Sequence, residues 1–433
     1  MKLELLILAL AALALSGCKP AYPPGTIVLH IGNWGGAKEG NDYDRKVEKI
    51  YRDFEKENPG IVLQEESAPE SYVAKISLAY LAKAEPDIVM LDASSSALFI
   101  DSGIVTDLTP LIESDPTFHL SDYYPNVVDI DRRGKALYAI PQDFTPMVVY
   151  YNKKLFDKAG VPYPKPDWNF EQFREVARKL TIKGDHPGDP PKQYGFAFAN
   201  WVPGWVMWIW NNGGDNISPD GTKALGYLDG PKSVEAVTFL ADMVREGLAP
   251  SISQTAALGV DPFANGQAAM AISGHWSLVG YKAAPKGPDG KPAITWDDLG
   301  VVALPHNVPE SQTVMYESGY AIGAHCKHRD AAWKFIRYMT SHAVQSIYQS
   351  SGIAVCGRKD VAEERAQSSP LEAAFIPIIP SARAPYGARV QGYDFVEDQM
   401  QKAMDSIIQP PGVDPKEALT KAAKAIEREW EKR

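Results

Sequence analysis

The sequence predicts an α/β protein built as two lobes. Short β-branched or apolar runs alternate with amphipathic helical patterns, the arrangement of parallel sheets covered on both faces. The chain has 433 residues, more than one hydrophobic core usually supports. No stretch has the length or composition of a clean interdomain linker. The lobes are therefore expected to exchange strands, with the chain crossing between them more than once.

The elements follow in order. Met1–Glu4 carry one Lys and one Glu, and Leu5–Leu15 form an uncharged apolar run. That run suits a signal peptide and is too short to span a bilayer. It ends in Leu15-Ser16-Gly17-Cys18, a lipobox, which makes residues 1–17 a cleaved signal and Cys18 a lipid-bearing first residue. Residues 18–25 then read as a Pro-rich tether. Thr26–Ile31 is the first strand. Val47, Ile50, Tyr51 and Phe54 mark one helix face, stopped by Asn58-Pro59-Gly60. Ile61–Leu63 and Asp87–Leu91 are strands, the latter continuously apolar as a buried strand is. Met147–Tyr151 is another. Asn169 caps a helix whose inner face is Phe170, Phe173, Val176, Ala177 and Leu180, with Gln172 completing a capping box. Val234 to Val244 is a further helix. Gly300–Leu304 and Tyr320–Ala324 read as strands. Trp333, Ile336 and Met339 share a helix begun by Asp330, and Leu419, Ala422, Ile426 and Trp430 share the last one.

Composition narrows the function. The net charge is −10, which disfavours a nucleic-acid partner. No stretch after the leader approaches the roughly 20 apolar residues of a membrane helix; the Trp-rich segment Trp201–Trp210 comes nearest and is interrupted by Pro203 and Gly204. Cys326 and Cys356 leave two readings open in an oxidising compartment, one disulfide or two buried thiols. There is no Gly-rich phosphate loop, nucleophile elbow or His-Glu-x-x-His. His325-Cys326-Lys327-His328 is read as a turn, so no metal and no cofactor is expected.

Aromatic residues give the positive signal. Trp34, Trp201, Trp205, Trp208, Trp210 and Trp276 lie in or beside turns rich in Gly, Asn or Ser. A sugar has apolar C–H faces and a rim of hydroxyls, so its site needs flat rings and directional polar groups. Asn33-Trp34-Gly35-Gly36, Gln142-Asp143-Phe144 and Ser273-Gly274-His275-Trp276 each supply both. For the tryptophans between 201 and 210, core packing is the competing reading.

The motifs also fall in a familiar order. Pro86-Asp87-Ile88-Val89-Met90 precedes Ile104-Val105-Thr106-Asp107-Leu108, then Ala139-Ile140-Pro141, Tyr150-Tyr151-Asn152-Lys153-Lys154-Leu155-Phe156 and Asn212-Gly213-Gly214-Asp215. Phe263-Ala264-Asn265-Gly266-Gln267-Ala268-Ala269-Met270, Ser318-Gly319-Tyr320-Ala321-Ile322 and Ala331-Ala332-Trp333-Lys334-Phe335-Ile336 follow. This order and spacing resembles the family 1 extracellular solute-binding proteins, the sugar-binding lipoproteins and periplasmic proteins of ABC importers. The resemblance implies a type II periplasmic-binding fold: two α/β lobes joined by crossover hinge segments, with the ligand in the cleft between them. It implies crossovers near Asp143, near Pro305 and in the 340s. Lobe 1 is then 26–142 with 306–347, and lobe 2 is 143–305 with 348–433. It implies ligand contacts from Asn33, Trp34, Ser94, Ser95, Asp143, Trp205, Trp276, Tyr316, Glu317 and Arg358. Glu317 and Ser318 stand where many relatives have Gly-Gly, a departure that bears on ligand identity.

The implied function is capture of a mono- or oligosaccharide outside the cytoplasm, by a lipid-anchored monomer, for delivery to the permease of an ABC importer, with no catalysis. Two other readings stay open. One is the same fold binding a glycerol phosphodiester, peptide or polyamine; the other is a secreted glycoside hydrolase.

Overall fold

The computed structural model describes residues 22–34, 42–68, 71–258, 261–283 and 292–432. The expected signal peptide and Cys18 lie outside the described residues.

A seven-stranded sheet is centred on one lobe. Its strands lie in the order Val355–Cys356, Ile140–Pro146, Thr313–Ile322, Ile88–Asp92, Ile27–Asn33, Ile61–Ser67, with Ala382–Arg383 beside the start of Thr313–Ile322. Ile27–Asn33 pairs in parallel with both neighbours. Thr313–Ile322 runs antiparallel to Ile88–Asp92 and to Ile140–Pro146. In the other lobe Val148–Asn152 sits between Met270–Ser273 and Leu299–Val302, antiparallel to both. The expectation of parallel sheets is therefore met around the first strand and in the short pairing of Ala382–Arg383 with Thr313–Ile322, while the other pairings of these two sheets are antiparallel. Strands that carry the chain from one lobe to the other enter each sheet from the opposite end, and that reverses their direction.

Two segments join the sheets. Ile140–Pro146 belongs to the larger sheet and continues through Met147 into Val148–Asn152 of the smaller one. There the Met147 amide donates to the Val314 carbonyl at 3.0 Å, and the Thr313 hydroxyl donates to the Met147 carbonyl at 2.5 Å. Thr313–Ile322 is the return path. It begins seven residues before the expected Tyr320, because Tyr316-Glu317-Ser318 interrupts the apolar pattern although Glu317 is fully buried.

The helix Phe170–Leu180 opens as expected. Gln172 N–H donates to Asn169 Oδ1 at 2.9 Å, and Asn169 N–H donates to Gln172 Oε1 at 2.8 Å, so two otherwise orphaned amides are satisfied. The Trp-rich segment differs from the expected turn: it is the helix Val202–Asn211. Pro203 lies in its first turn, where a missing N–H costs nothing.

One core gathers apolar residues between Leu29 and Ile140 with others from Tyr320 to Tyr348. A second gathers residues from Met147 to Val314 with the helices Tyr393–Ile408 and Pro415–Trp430. A third cluster, including Ala93, Phe144, Tyr150, Met315 and Phe375, lies where the two sheets adjoin. Cys326 and Cys356 are free thiols. Cys356 Sγ donates to Gln349 Oε1 at 3.0 Å, so of the two readings the structure has the unbridged one.

Candidate functional site

The site is built at one edge of the seven-stranded sheet. Strand register places Ser318 opposite Asp92 on one side and opposite Asp143 on the other. Directly opposed residues share a face, so two carboxylates flank a serine across three neighbouring strands. Asn33 and Trp34 end the next strand, and Ser94 and Ser95 follow Asp92. Trp276 follows Met270–Ser273, whose Ser273 lies opposite Val148 just past the first crossover. Register thus brings the expected Asp143 opposite Ser318, and Ser318 opposite Asp92, from distant parts of the chain.

Each side chain has a definite hold. Asn33 Nδ2 donates to Glu65 Oε1. Trp34 is half-buried, edge-on to Tyr72 with ring centres 5.4 Å apart. Tyr348 donates its hydroxyl to Asp143 Oδ2, and Tyr43 lies edge-on to Tyr348 at 5.7 Å. Trp276 is half-buried and faces the exposed Trp201 ring at 6.3 Å. Ser94 is exposed, and Ser95 opens the short helix Ser96–Asp101.

The electrostatics are those of crowded carboxyls. Burial pushes Asp143 up to about 6, with Asp92 adding to the rise and hydrogen bonds from Tyr348 and Ser318 opposing it. Burial raises Asp92 as well. Across from it, on the helix Tyr393–Ile408, burial and then Asp92 push Glu397 up to about 7. Glu317 is raised well above the carboxylate range by burial and by Asp131 beside it, and burial takes Asp131 to about 6. Carboxyls of this kind accept hydrogen bonds when ionised and donate when protonated. Asp92 and Asp143, with the half-buried indoles of Trp34 and Trp276, are the residue types that a polyhydroxylated ligand needs.

Three expected residues are placed elsewhere. Trp205 has 0 % exposure and belongs to the second core; the helix Val202–Asn211 turns that ring inward. Arg358 is committed to two ion pairs, with Asp122 at 3.0 Å and Asp360 at 2.7 Å, which tie the start of the helix Lys359–Ser368 to the Ser121-Asp122 turn. Glu317 has 0 % exposure, and its neighbour Asp131 is buried too. Alternation along the strand turns it from the Ser318 face, so it sits under the sheet.

Other residues were missed. Asp92 lies at the centre of the carboxyl group and ends a strand that reads as pure core. Tyr43 and Tyr348 lie on the helices Asp42–Glu57 and His342–Gln349, outside every motif of the sequence. Arg383 and Tyr386 lie in a Pro- and Gly-rich stretch that reads as plain loop. Both bond Asp215, at 3.2 and 3.0 Å, and they line a cavity of about 380 Å³ with Asn126 and Asp129. Gly387 packs so closely on this edge that a Cβ there would lie 2.1 Å from the Ser94 carbonyl oxygen. A glycine between a Tyr and an Ala after an Ala-Pro pair was the available signal.

The comparison that decides the family is a match of residues 37–346 to the model of the bacterial extracellular solute-binding proteins. The chain belongs to that family. A binding protein of Brucella abortus is 24 % identical to it over 425 residues, 96 % of this chain and 95 % of that one. Among solved structures, an ABC substrate-binding protein from Listeria monocytogenes in complex with cycloalternan matches with a TM-score of 0.78 at 22 % identity, covering 94 % of this chain and 98 % of that one. UgpB from Mycobacterium tuberculosis in complex with glycerophosphocholine matches with a TM-score of 0.76 at 18 % identity, covering 94 % and 99 %. These likenesses fix the fold as the two-lobed periplasmic-binding type. Among the described residues, no helix of this family member is long and apolar enough to cross a membrane.

Proposed function

We propose that this solute-binding protein captures a mono- or oligosaccharide outside the cytoplasm and delivers it to an ABC importer. What supports the reading is the Asp92–Ser318–Asp143 row across three neighbouring strands, with half-buried Trp34 just after the strand Ile27–Asn33 and half-buried Trp276 just after Met270–Ser273. Indole faces suit sugar C–H faces, and carboxylates suit hydroxyl rims. Cycloalternan, the ligand in the Listeria complex, is a carbohydrate. We take lobe 1 as 26–142 with 306–347 and lobe 2 as 143–305 with 348–433, closing on the ligand about the two joining segments and a third in the 340s. The scarcity of basic groups in the row disfavours a phosphodiester, the class of ligand in the UgpB complex. The test is a thermal-shift screen against mono- and oligosaccharides, with glycerophosphocholine and spermidine as the competing classes. A ligand that binds only the folded state raises Tm by mass action, and the expected result is a rise with a sugar and none with the other two. A rise with glycerophosphocholine or spermidine alone sinks the carbohydrate reading. Release of reducing ends during the incubation would replace binding by hydrolysis.

The anchor belongs to the same proposal. Leu15-Ser16-Gly17-Cys18 supplies small residues for cleavage and a thiol for diacylglyceryl transfer. Cys18→Ala is expected to abolish metabolic lipid labelling and move the protein to the soluble fraction. A variant that still labels and stays with membranes contradicts the lipobox.

A further inference from the structure

His275 is fully buried, yet its polar contacts reach three separate segments. Its amide donates to Thr145 Oγ1 at 2.6 Å, on the strand that carries the chain between lobes. Its ring Nδ1 lies 3.2 Å from the carbonyl oxygen of Gly352. Its ring Nε2 lies 2.7 Å from Glu372 Oε2. A carbonyl oxygen can only accept a hydrogen bond, and so can an ionised carboxylate. Both ring contacts are satisfied together only when each ring nitrogen carries a proton. Although burial works against its ionisation, the hydrogen bond and charge of His275, with Arg365, hold the Glu372 carboxyl down at about 2. Arg365 Nε donates to the other Glu372 oxygen at 2.9 Å. The Phe375 ring packs 4.8 Å from the imidazole.

The next residue is Trp276. The preceding carbonyl, that of Gly274, accepts from the Tyr150 hydroxyl at 3.0 Å. Gly274 also lies directly under the indole: a Cβ there would be 2.3 Å from the Trp276 ring. The turn that presents Trp276 is therefore fixed from one side by Tyr150 and from the other by the imidazole.

We propose that His275 is a positioning residue of the ligand site, an imidazolium clip that joins the Trp276 turn to the Gly352 and Glu372 segments. Loss of its ring proton leaves one buried acceptor, the Gly352 carbonyl or the Glu372 carboxylate, without a partner. That loosens the turn and lets the indole shift. The groups that face the ring and bear on its proton are Glu372 and Arg365 from the two helices below, Asp143 from the crossover strand and Tyr150 from the smaller sheet. The inference depends on the carbohydrate reading only for the statement that Trp276 touches ligand, and its test uses no ligand, so the two can fail separately.

The experiment is heteronuclear NMR of the whole mature chain labelled with nitrogen-15 at His and Trp. His275→Gln and Trp276→Phe supply the assignments. At pH 7 both His275 ring nitrogens are expected at protonated positions. An unprotonated, pyridine-type nitrogen on that ring overturns the proposal. Glu372→Gln keeps the shape and removes the carboxylate, so His275 is expected to lose a ring proton at pH 7. The Trp276 indole resonance moves with it while that of Trp333, in the first core, stays in place. A Trp276 resonance unmoved by that change also overturns the proposal. Should Glu372→Gln fail to fold, the wild-type chain is taken upward in pH. The Trp276 signal must then move with the same midpoint as the His275 ring, and different midpoints contradict the clip.

Discussion

Replacing Trp205 by alanine is expected to lower the free energy of unfolding by about 3–5 kcal/mol, the range for emptying a large aromatic site in a packed core. The ring has 0 % exposure and sits in the second core, on a helix that also buries Trp208 and Trp210. The cavity left by an indole cannot close without moving its neighbours in the second core, because interiors are packed near crystal density. Urea unfolding of the unliganded protein gives the number. Ligand affinity of the folded fraction is expected to change little. A loss of affinity with unchanged stability would return Trp205 to the ligand site.

The second large effect is a dependence of stability on pH. Asp131 and Asp143 are raised to about 6 and Glu397 to about 7, and Glu317 is raised well above the carboxylate range, each mainly through burial. In the unfolded chain these carboxyls titrate near 4. Between those values the folded state holds more protons than the unfolded one, so stability falls as pH rises through the window from about 4 to 7. Glu372, held at about 2, has the opposite sign, but its contribution is lost only below about 4.5 and leaves that window untouched. A tenfold difference in proton affinity between the folded and unfolded states corresponds to about 1.4 kcal/mol, and the coupled set is expected to cost a few kcal/mol between pH 5 and pH 8. Glu317→Gln removes the most deeply buried of these acids and keeps its shape. It is expected to raise stability at pH 8 by about 1–3 kcal/mol and to flatten the slope. Thermal melting across pH 5 to 8 measures both. A stability that rises with pH over this window contradicts the carboxyl cluster.

The contrast between these residues shows what sequence reasoning can reach. Apolar periodicity locates Ile88–Leu91 and the face of Phe170–Leu180, because burial selects the pattern directly. Asn169 and Gln172 are legible because a capping box is local chemistry. The burial of Glu317 is not: a polar residue inside an apolar strand reads as a break, and only the fold brings Asp131 beneath it. Trp205 misleads for the reverse reason. Its Pro and Gly neighbours suggest a turn, yet Pro203 at a helix start is no obstacle. Asp92 is hidden at the end of a core strand, and its role comes from register with Ser318 and Asp143, residues more than 50 positions away. Arg358 shows that a motif fixes position and not partners: Asp122 and Asp360 occupy it.

The central claim is that Trp276 and Asp143 contact a sugar where the two sheets adjoin. Calorimetric titration of the wild type, Asp143→Ala and Trp276→Ala with the sugar found by thermal shift tests it most directly. Because closure of the lobes is part of binding, the measured affinity includes its cost. Asp143→Ala is expected to weaken binding by about 1.5–3 kcal/mol, the scale of a hydrogen bond to a charged group. Trp276→Ala is expected to lose at least as much through stacking area, with the unliganded Trp276→Ala variant melting near the wild type. Wild-type affinity in both variants would contradict the account and place the ligand elsewhere on the protein.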